Sequence, residues 1–212
     1  MRRSVIRGIT GLFALLVLYL LLWPVPVSPV AWQPPEDAGH VEPYADTNRL
    51  RAMRLLALDG HEGPEDAALG PDGKLYLSTS GGRILRMNRG GGQLEVFADT
   101  GGRPLGIEFD GSGRLLVANA MLGVQRVSAD GQVELLFDAV DTSPLVYSDD
   151  VAVAADGRVF VSDATTRFSP KDNGGTYGAS IIDLIEHGSS GRIVEYDPAS
   201  GQTRVFANQL SF

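Results

Sequence analysis

The stretch "DGKLYLSTS", Asp72–Ser80, decides the fold because the chain repeats it twice. Similar stretches follow as "SGRLLVANA" at Ser112–Ala120 and "DGRVFVSDA" at Asp156–Ala164. The turn glycine moves from position 73 to 113 and then 157, so the copies begin 40 and 44 residues apart. In each copy an Asp-Gly or Ser-Gly pair, typical of a hairpin turn, is followed by an apolar strand. A whole-unit repeat of about forty residues is typical of β-propellers.

Each copy lies within a unit of four predicted strands. The strand before it is "EDAAL", "LGIEF" or "DDVAV", and the two after it begin at "GRILRM" and "GGQLEVFAD", at "GVQRVS" and "GQVELLFD", or at "GRIVEYD" and "GQTRVFAN". Four-stranded repeating units indicate propeller blades. A β-sandwich also has short strands, but it does not repeat a four-strand unit. The sequence therefore predicts an all-β propeller region over residues 49–212.

The third unit contains an insert at residues 165–190. Phe97 and Phe137 close the first two units 40 residues apart, whereas Phe206 follows 69 residues after Phe137. The insert includes one helix-like stretch, Ala179–His187. Long propeller insertions emerge on one face, so the insert is predicted either to form a lid or partner surface or to be a solvated loop with no role.

The N-terminal 24 residues predict a transmembrane anchor. No charged residue lies between Arg7 and Glu36, and "ITGLFALLVLYLLLW" at Ile9–Trp23 is almost entirely apolar. Arginines at positions 2, 3 and 7 precede the segment and acidic residues follow it, so the N-terminus is predicted to be cytoplasmic and the propeller extracytoplasmic. A cleaved signal peptide is the alternative.

The Pro-rich linker at residues 25–48 follows the anchor. Its prolines, from Pro24 to Pro43, predict an extended spacer that holds the domain off the membrane.

The composition excludes several kinds of site. A formal net charge of −8 gives no electrostatic footprint for nucleic acid. The chain has no cysteine, so disulfides and thiolate metal sites are excluded. Its three histidines lie far apart without ligand spacing, which argues against zinc.

One column of the repeat brings acidic residues together. The residue eight positions before each turn glycine is Glu65, Leu105 or Asp149. The first strand of each blade lines the central channel, so Glu65 and Asp149 are predicted to converge at its mouth. Converging carboxylates repel unless a cation neutralises them, and hard oxygen ligands suit Ca²⁺ or Mg²⁺. The alternatives are a turn-capping carboxylate at Glu65 and a polar turn at Asp149.

A second column, six residues after each turn glycine, contains Thr79, Asn119 and Asp163. Asn119 and Asp163 are weaker candidates for the channel mouth, because Asn and Asp also end strands. Asp66 and Asp150 follow the first-column acids and are predicted to point the other way within the strand.

The chain resembles the strictosidine synthase-like and adipocyte plasma membrane-associated family of six-bladed propellers, which is related to gluconolactonase, regucalcin and paraoxonase. The resemblance runs along almost the whole chain. Its specific motifs are "GPED" at Gly63–Asp66, "GRPLGIEF" at Gly102–Phe109 and "SDDVAVAADGRVFVSDATTRF" at Ser148–Phe168.

The resemblance implies a divalent cation, usually calcium, in the channel. Glu65 matches the metal-binding Glu of the family, while Asp149 stands where the family generally has Asn in "N-D-V". That departure makes the site more negative. The resemblance also implies Arg103 and Asp150 as mouth residues, with a structural hydrogen bond as the alternative for each; no residue is predicted to be catalytic.

Three activities are consistent with the family. The first is metal-dependent hydrolysis of a small ester or lactone, as in an arylesterase. The second is binding of a ligand or partner without catalysis, and the third is an amine–aldehyde condensation of the strictosidine synthase type. The residues after the linker suffice for about three of six blades, so the chain is expected to be a truncated product or fragment with an incomplete ring and a doubtful activity of its own.

Overall fold

The computed structural model describes residues 2–37, 39–41, 44–45 and 47–211. The chain begins with helix α1, Arg2–Leu22. Its segment Val5–Leu22 has a mean hydropathy of 2.3 and is not buried against the rest of the protein. The helix is therefore long and apolar enough to cross a membrane, as the sequence predicts.

Three four-stranded antiparallel sheets follow, each with its strands in chain order. The first contains β1 Ala67–Leu69, β2 Lys74–Ser78, β3 Arg83–Asn88 and β4 Glu95–Asp99. The second contains β5 Pro104–Phe109, β6 Leu115–Asn119, β7 Gly123–Val127 and β8 Val133–Phe137. The third contains β11 Ser148–Val153, β12 Val159–Asp163, β13 Gly191–Asp197 and β14 Gln202–Leu210. A small hairpin of β9, Ala139–Val140, and β10, Ser143–Pro144, lies between the second and third sheets and was not predicted. The predicted four-strand blades are confirmed.

The turn glycines of the repeat have the backbone conformation that their position requires. Gly73, Gly113 and Gly157 have φ angles of 75°, 78° and 88°. Such positive φ values are unstrained only for glycine, so the repeated glycine fixes where each second strand begins.

The blades stack face to face through apolar side chains. Tyr76 and Ile84 of the first blade pack with Ile107, Leu115 and Val117 of the second. A second cluster joins the second blade to the third through the side chains Leu116, Ala118, Val124, Val151, Val159 and Val161. The first strands lie beside one another, with β5 contacting both β1 and β11. This arrangement is that of part of a propeller.

Carboxylates also link successive blades. The Ile107 N–H donates to Asp66 Oδ2 at 2.8 Å, and the Val153 N–H donates to Glu108 Oε2 at 2.7 Å. In both cases an acid on one first strand bonds the next, which holds the first strands together around the channel.

The insert forms helix α2, Thr176–Glu186. It begins three residues earlier than predicted, directly after the Gly174–Gly175 pair. His187 ends it in the left-handed conformation, with φ 53°. The buried residue Ala179 packs α2 onto Leu105 and Tyr147, so the insert is attached to the blades rather than a detached loop.

Residues 27–32 of the predicted linker are bound to the insert, which the sequence does not predict. The Ser28 N–H donates to Glu186 Oε1 and the Val30 N–H donates to the Glu186 carbonyl oxygen, both at 2.8 Å. Val27 packs against the apolar cluster beneath α2. The linker is fastened because its backbone donors find acceptors on the insert, which local sequence does not reveal. The predicted limits of this segment include Ala38, Glu42, Pro43 and Asp46, which lie outside the described residues.

Candidate functional site

The structure brings Glu65 and Asp149 close together. Glu65 immediately precedes Asp66 and β1, and Asp149 is the second residue of β11. After loss of hydration, the negative charge of Asp149 is the next cause that raises the pKa of Glu65, so the two carboxylates lie within range of each other's charge. Leu105, the third member of the column, is buried between their blades. The convergence follows from the blade repeat, because equivalent positions in successive blades face one channel.

Neither carboxylate has a side-chain hydrogen bond or ion pair in the described part of the chain. Loss of hydration is the main cause that raises the pKa of Glu65, followed by Asp149, Asp66 and Asp150. Loss of hydration is also the main cause that raises the pKa of Asp149, followed by the charge of Asp150. Both shifts favour the neutral form, because loss of hydration and the neighbouring negative charges destabilise the ionised carboxylate.

Arg103 provides the nearest opposing charge. It lowers the pKa of Glu65, but this is the smallest of the contributions that act on that group. Its guanidinium donates from Nη1 to the Gly63 carbonyl oxygen at 3.0 Å, and no ion pair joins it to an acid among the described residues. Arg103 thus holds the loop that carries Glu65.

Asp66 and Asp150 have equivalent structural hydrogen bonds in blades one and three. The Ala67 N–H donates to Asp66 Oδ1 at 2.7 Å, and the Val151 N–H donates to Asp150 Oδ1 at 2.8 Å. Asp150 is exposed and lies against Gly106 of the second blade. The bond from the Val151 N–H is the structural hydrogen bond that was the alternative role for Asp150. Its negative charge also contributes to the raised pKa values of Glu65 and Asp149.

Asn119 is fully buried, and all its polar atoms are used within the protein. Its Oδ1 accepts from the Arg103 N–H at 3.0 Å and the Met121 N–H at 3.2 Å. Its Nδ2 donates to the Gly101 carbonyl oxygen at 2.9 Å and to Gln125 Oε1 at 3.0 Å. The structure therefore places Asn119 as a loop-fixing residue beside the mouth, without a free atom for a ligand.

Asp163 is also fully buried and fully bonded. Its Oδ1 accepts from the N–H groups of Val146 at 2.9 Å and Tyr147 at 2.7 Å, and its Oδ2 accepts from Arg192 Nε at 2.9 Å. Burial raises the pKa of Asp163, and these donors oppose that effect. The carboxylate orients the segment that leads to Asp149 rather than facing the channel.

A cavity of about 230 Å³ lies between the channel mouth and the insert. Asp149 lies in its wall with Tyr147 of the preceding turn and with Ser180, Asp183 and Leu184 of α2. The Tyr147 hydroxyl bonds Ser180 Oγ at 3.2 Å. Burial raises the pKa of Asp183, which Thr165 opposes by hydrogen bonding. The cavity combines one free carboxylate, a phenol and an apolar wall.

The sequence prediction missed Tyr147 and Asp183. Asp183 is the acid at the centre of the otherwise apolar run "IIDLI", Ile181–Ile185, and that isolation was the available signal. Tyr147 carried no signal, because only the fold places it beneath α2.

The two carboxylates are of the type that a hard divalent cation binds, but two ligands are fewer than such a cation needs. Glu65 and Asp149 offer carboxylate oxygens, the ligands that Ca²⁺ prefers. Within the described ranges no group of three or more His, Cys, Asp or Glu side chains is placed to hold a metal ion. The two acids would form only part of a coordination shell.

Sequence comparisons confirm the predicted resemblance. Residues 42–87 match the family model "Strictosidine synthase-like, N-terminal". Strictosidine synthase-like protein 7 from Arabidopsis thaliana is 31% identical over 182 residues, which cover 83% of this chain and 47% of that protein. Adipocyte plasma membrane-associated protein from Salmo salar is 30% identical over an alignment of 220 residues. The alignment covers 93% of this chain and 50% of that protein. The chain spans about half the length of the curated relatives it matches.

The fold is similar to that of a gluconolactonase from Xanthomonas campestris. That structure superimposes with a TM-score of 0.56 and 21% sequence identity, over 71% of this chain and 49% of the other. At this identity the similarity concerns the fold, which agrees with the partial propeller described above.

Proposed function

We propose that this chain, which resembles the strictosidine synthase-like proteins, is part of a membrane-anchored propeller that hydrolyses esters or lactones with the help of a divalent cation, Ca²⁺. The observation that carries the proposal is a pair of carboxylates, Glu65 and Asp149, without a side-chain hydrogen bond or ion pair among the described residues; Asp149 lies in the wall of a cavity of about 230 Å³. The similarity of the fold to that of a gluconolactonase supports hydrolysis.

Glu65 and Asp149 would hold the cation. When bound, it would polarise a substrate carbonyl and stabilise negative charge on its oxygen. The raised pKa values of Glu65 and Asp149 support this role, because a cation beside both carboxylates would stabilise their charged forms.

The surrounding residues would position the substrate. The apolar wall from Leu184 would hold the hydrocarbon part, while the Tyr147 hydroxyl offers a hydrogen bond close to Asp149. Arg103, held by the Gly63 carbonyl oxygen, would keep the Glu65 loop at the mouth. These contacts orient a small ester or lactone next to the free carboxylate.

The anchor would keep the propeller outside the cytoplasm as a single-pass protein with a cytoplasmic N-terminus. Helix α1 and the similarity to adipocyte plasma membrane-associated protein support anchoring. The arginines at positions 3 and 7 and the acids Glu36 and Asp37 support this orientation.

The first experiment measures Ca²⁺ binding to the detergent-solubilised chain by calorimetry. Glu65→Gln and Asp149→Asn are each expected to weaken binding at least about tenfold, because each removes a charged ligand. Glu62→Gln is the matched control, since Glu62 is exposed and lies three residues from Glu65. Equal Ca²⁺ affinity in all three variants would contradict the metal site.

The second experiment measures hydrolysis of phenyl acetate and a panel of lactones with and without a chelator. Activity is expected to fall on chelation and to return with Ca²⁺, and to be lost in Glu65→Gln. Turnover that is unaffected by the chelator would refute cation-assisted hydrolysis. Saturable binding without turnover would support the non-enzymatic ligand-binding alternative instead.

A further inference from the structure

Helix α2 exposes an apolar face to solvent. Tyr177, Ile181, Leu184 and Ile185 are 79%, 38%, 60% and 60% exposed. Their spacing of four, seven and eight residues from Tyr177 places them on one side of the helix. A surface helix normally turns polar residues outward, and a continuous exposed apolar patch marks a contact surface.

The opposite face of α2 already has its partners. Ala179 is fully buried, and Ile182 packs with it against Tyr147 and Phe168. The exposed residues are therefore not a displaced core face, because α2 has a separate buried face that attaches it to the blades.

Glu186 fastens the linker to the end of α2. This side chain is 2% exposed, and its Oε1 accepts from the Ser28 N–H at 2.8 Å and pairs with Arg167 Nη2 at 3.0 Å. Its carbonyl oxygen accepts from the Val30 N–H at 2.8 Å. We call these contacts of Glu186 the Glu186 clamp.

The clamp places α2 close to the end of α1. Ser28 lies six positions after Leu22, where α1 ends, and an extended chain of that length spans at most about 20 Å. Trp32, which is 59% exposed, lies beside His187 with the two rings tilted and their centroids 5.0 Å apart. Tryptophan is enriched where a membrane meets water.

We propose that the exposed face of α2 lies in the interfacial region of the lipid bilayer, and that the Glu186 clamp holds it there. Leu184 belongs both to this face and to the wall of the cavity beside Asp149, so the cavity opens next to the membrane surface. The occupant of the apolar face is lipid, because the linker that follows the membrane-length helix α1 is bound to α2. The inference rests on the proposed membrane anchor but not on hydrolysis.

The absence of cysteine allows a direct test. Single variants Ile185→Cys, Leu16→Cys and Ser200→Cys of the full chain carry one environment-sensitive fluorophore each and are reconstituted in phosphatidylcholine vesicles. Ser200 is the aqueous control, because it lies in the turn after β13, at the end of that strand away from the insert. Quenching is measured with a nitroxide attached near the headgroup end of the acyl chain and with aqueous iodide.

The label at Ile185 is expected to be quenched by the lipid nitroxide at least about threefold more than the label at Ser200, and less by iodide. Iodide quenching equal to that at Ser200 would overturn the proposal. Shielding from both quenchers would also overturn it, because protein rather than lipid would then cover the face. The label at Leu16 tests the anchor separately. Iodide quenching at Leu16 equal to that at Ser200 would refute the membrane span.

A second test breaks the Glu186 clamp. Glu186→Ala and Ser28→Pro each remove the Ser28–Glu186 hydrogen bond, and Ser28→Pro leaves α2 unaltered. Both are expected to reduce lipid quenching at Ile185 by half or more and to leave the Leu16 label unchanged. Unchanged quenching at Ile185 in Ser28→Pro would overturn the role of the clamp.

Discussion

Asp149 and Asp163 lie in the same blade, on paired strands, and differ in the hydrogen-bond partners of their carboxylates. Residue 148, next to Asp149, is directly opposite Asp163 in the β11–β12 ladder. Burial raises the pKa of both carboxyls. Asp163 has three donors, including Arg192, whereas Asp149 has no side-chain hydrogen bond or ion pair to another described residue. The comparison separates a carboxylate that builds the fold from one available to a ligand.

Removing the bonded acid should have the largest effect. Asp163→Ala leaves Arg192 buried without its partner, together with two backbone N–H groups, and such losses typically destabilise by about 3–5 kcal/mol. Urea denaturation followed by circular dichroism measures the change. Asp163→Asn is the control: it keeps an acceptor for Val146 and Tyr147 and should lose less. A loss below about 1 kcal/mol for the alanine variant would contradict the structural role.

A methyl group added at Gly106 should displace the backbone of Asp149 and Asp150. The added Cβ would lie 2.7 Å from Asp150 Cα and 3.1 Å from the Asp149 carbonyl oxygen, so backbone must shift. Overpacking of this kind typically costs about 1–3 kcal/mol. Gly106→Ala is expected to be destabilised by this amount in thermal unfolding and to bind Ca²⁺ more weakly. Gly111→Ala is the control, because open space surrounds that position; equal stability of the two variants would refute the close contact.

Neutralising the free acid should have a small stabilising effect in the metal-free protein. Because the folded-state pKa of Asp149 is raised, its contribution to stability is complete below the ordinary pKa of about 4 and is lost as pH rises through the raised value. Asp149→Asn should therefore increase the free energy of unfolding at pH 7, by about 1 kcal/mol or less, and not at pH 3.

Thermal unfolding across this pH range in the presence of a chelator measures the difference. Asp141→Asn, at an exposed position of the β9–β10 hairpin, is the control. Destabilisation of Asp149→Asn at pH 7 would mean that the carboxylate has a stabilising partner, and the contrast with Asp163 would disappear.

The repeat made most of the fold predictable. Turn glycines such as Gly73 fix each hairpin, and the same register places Glu65 and Asp149 together across two blades. The register placed Asp149 and Asp163 in different columns, but it could not show which of the two acids is bonded within the fold. Their difference depends on Arg192, which lies 29 residues beyond Asp163 and beyond the insert.

The linker was predicted less well for the same reason. Its prolines indicate an extended backbone, which the structure retains, but not where the backbone binds. Ser28 and Glu186 are 158 residues apart, and no local pattern relates them.

The sequence by itself determined the four-strand units, the apolar N-terminal helix and the column that brings Glu65 to Asp149, because periodic spacing and hydrophobicity are local properties. Only the tertiary structure decided which carboxylates are bonded, which wall the cavity, and that the linker is bound to α2. Hydrogen bonds and ion pairs depend on groups that folding brings together from distant parts of the chain, and the balance between burial and those partners sets the chemistry of each acid.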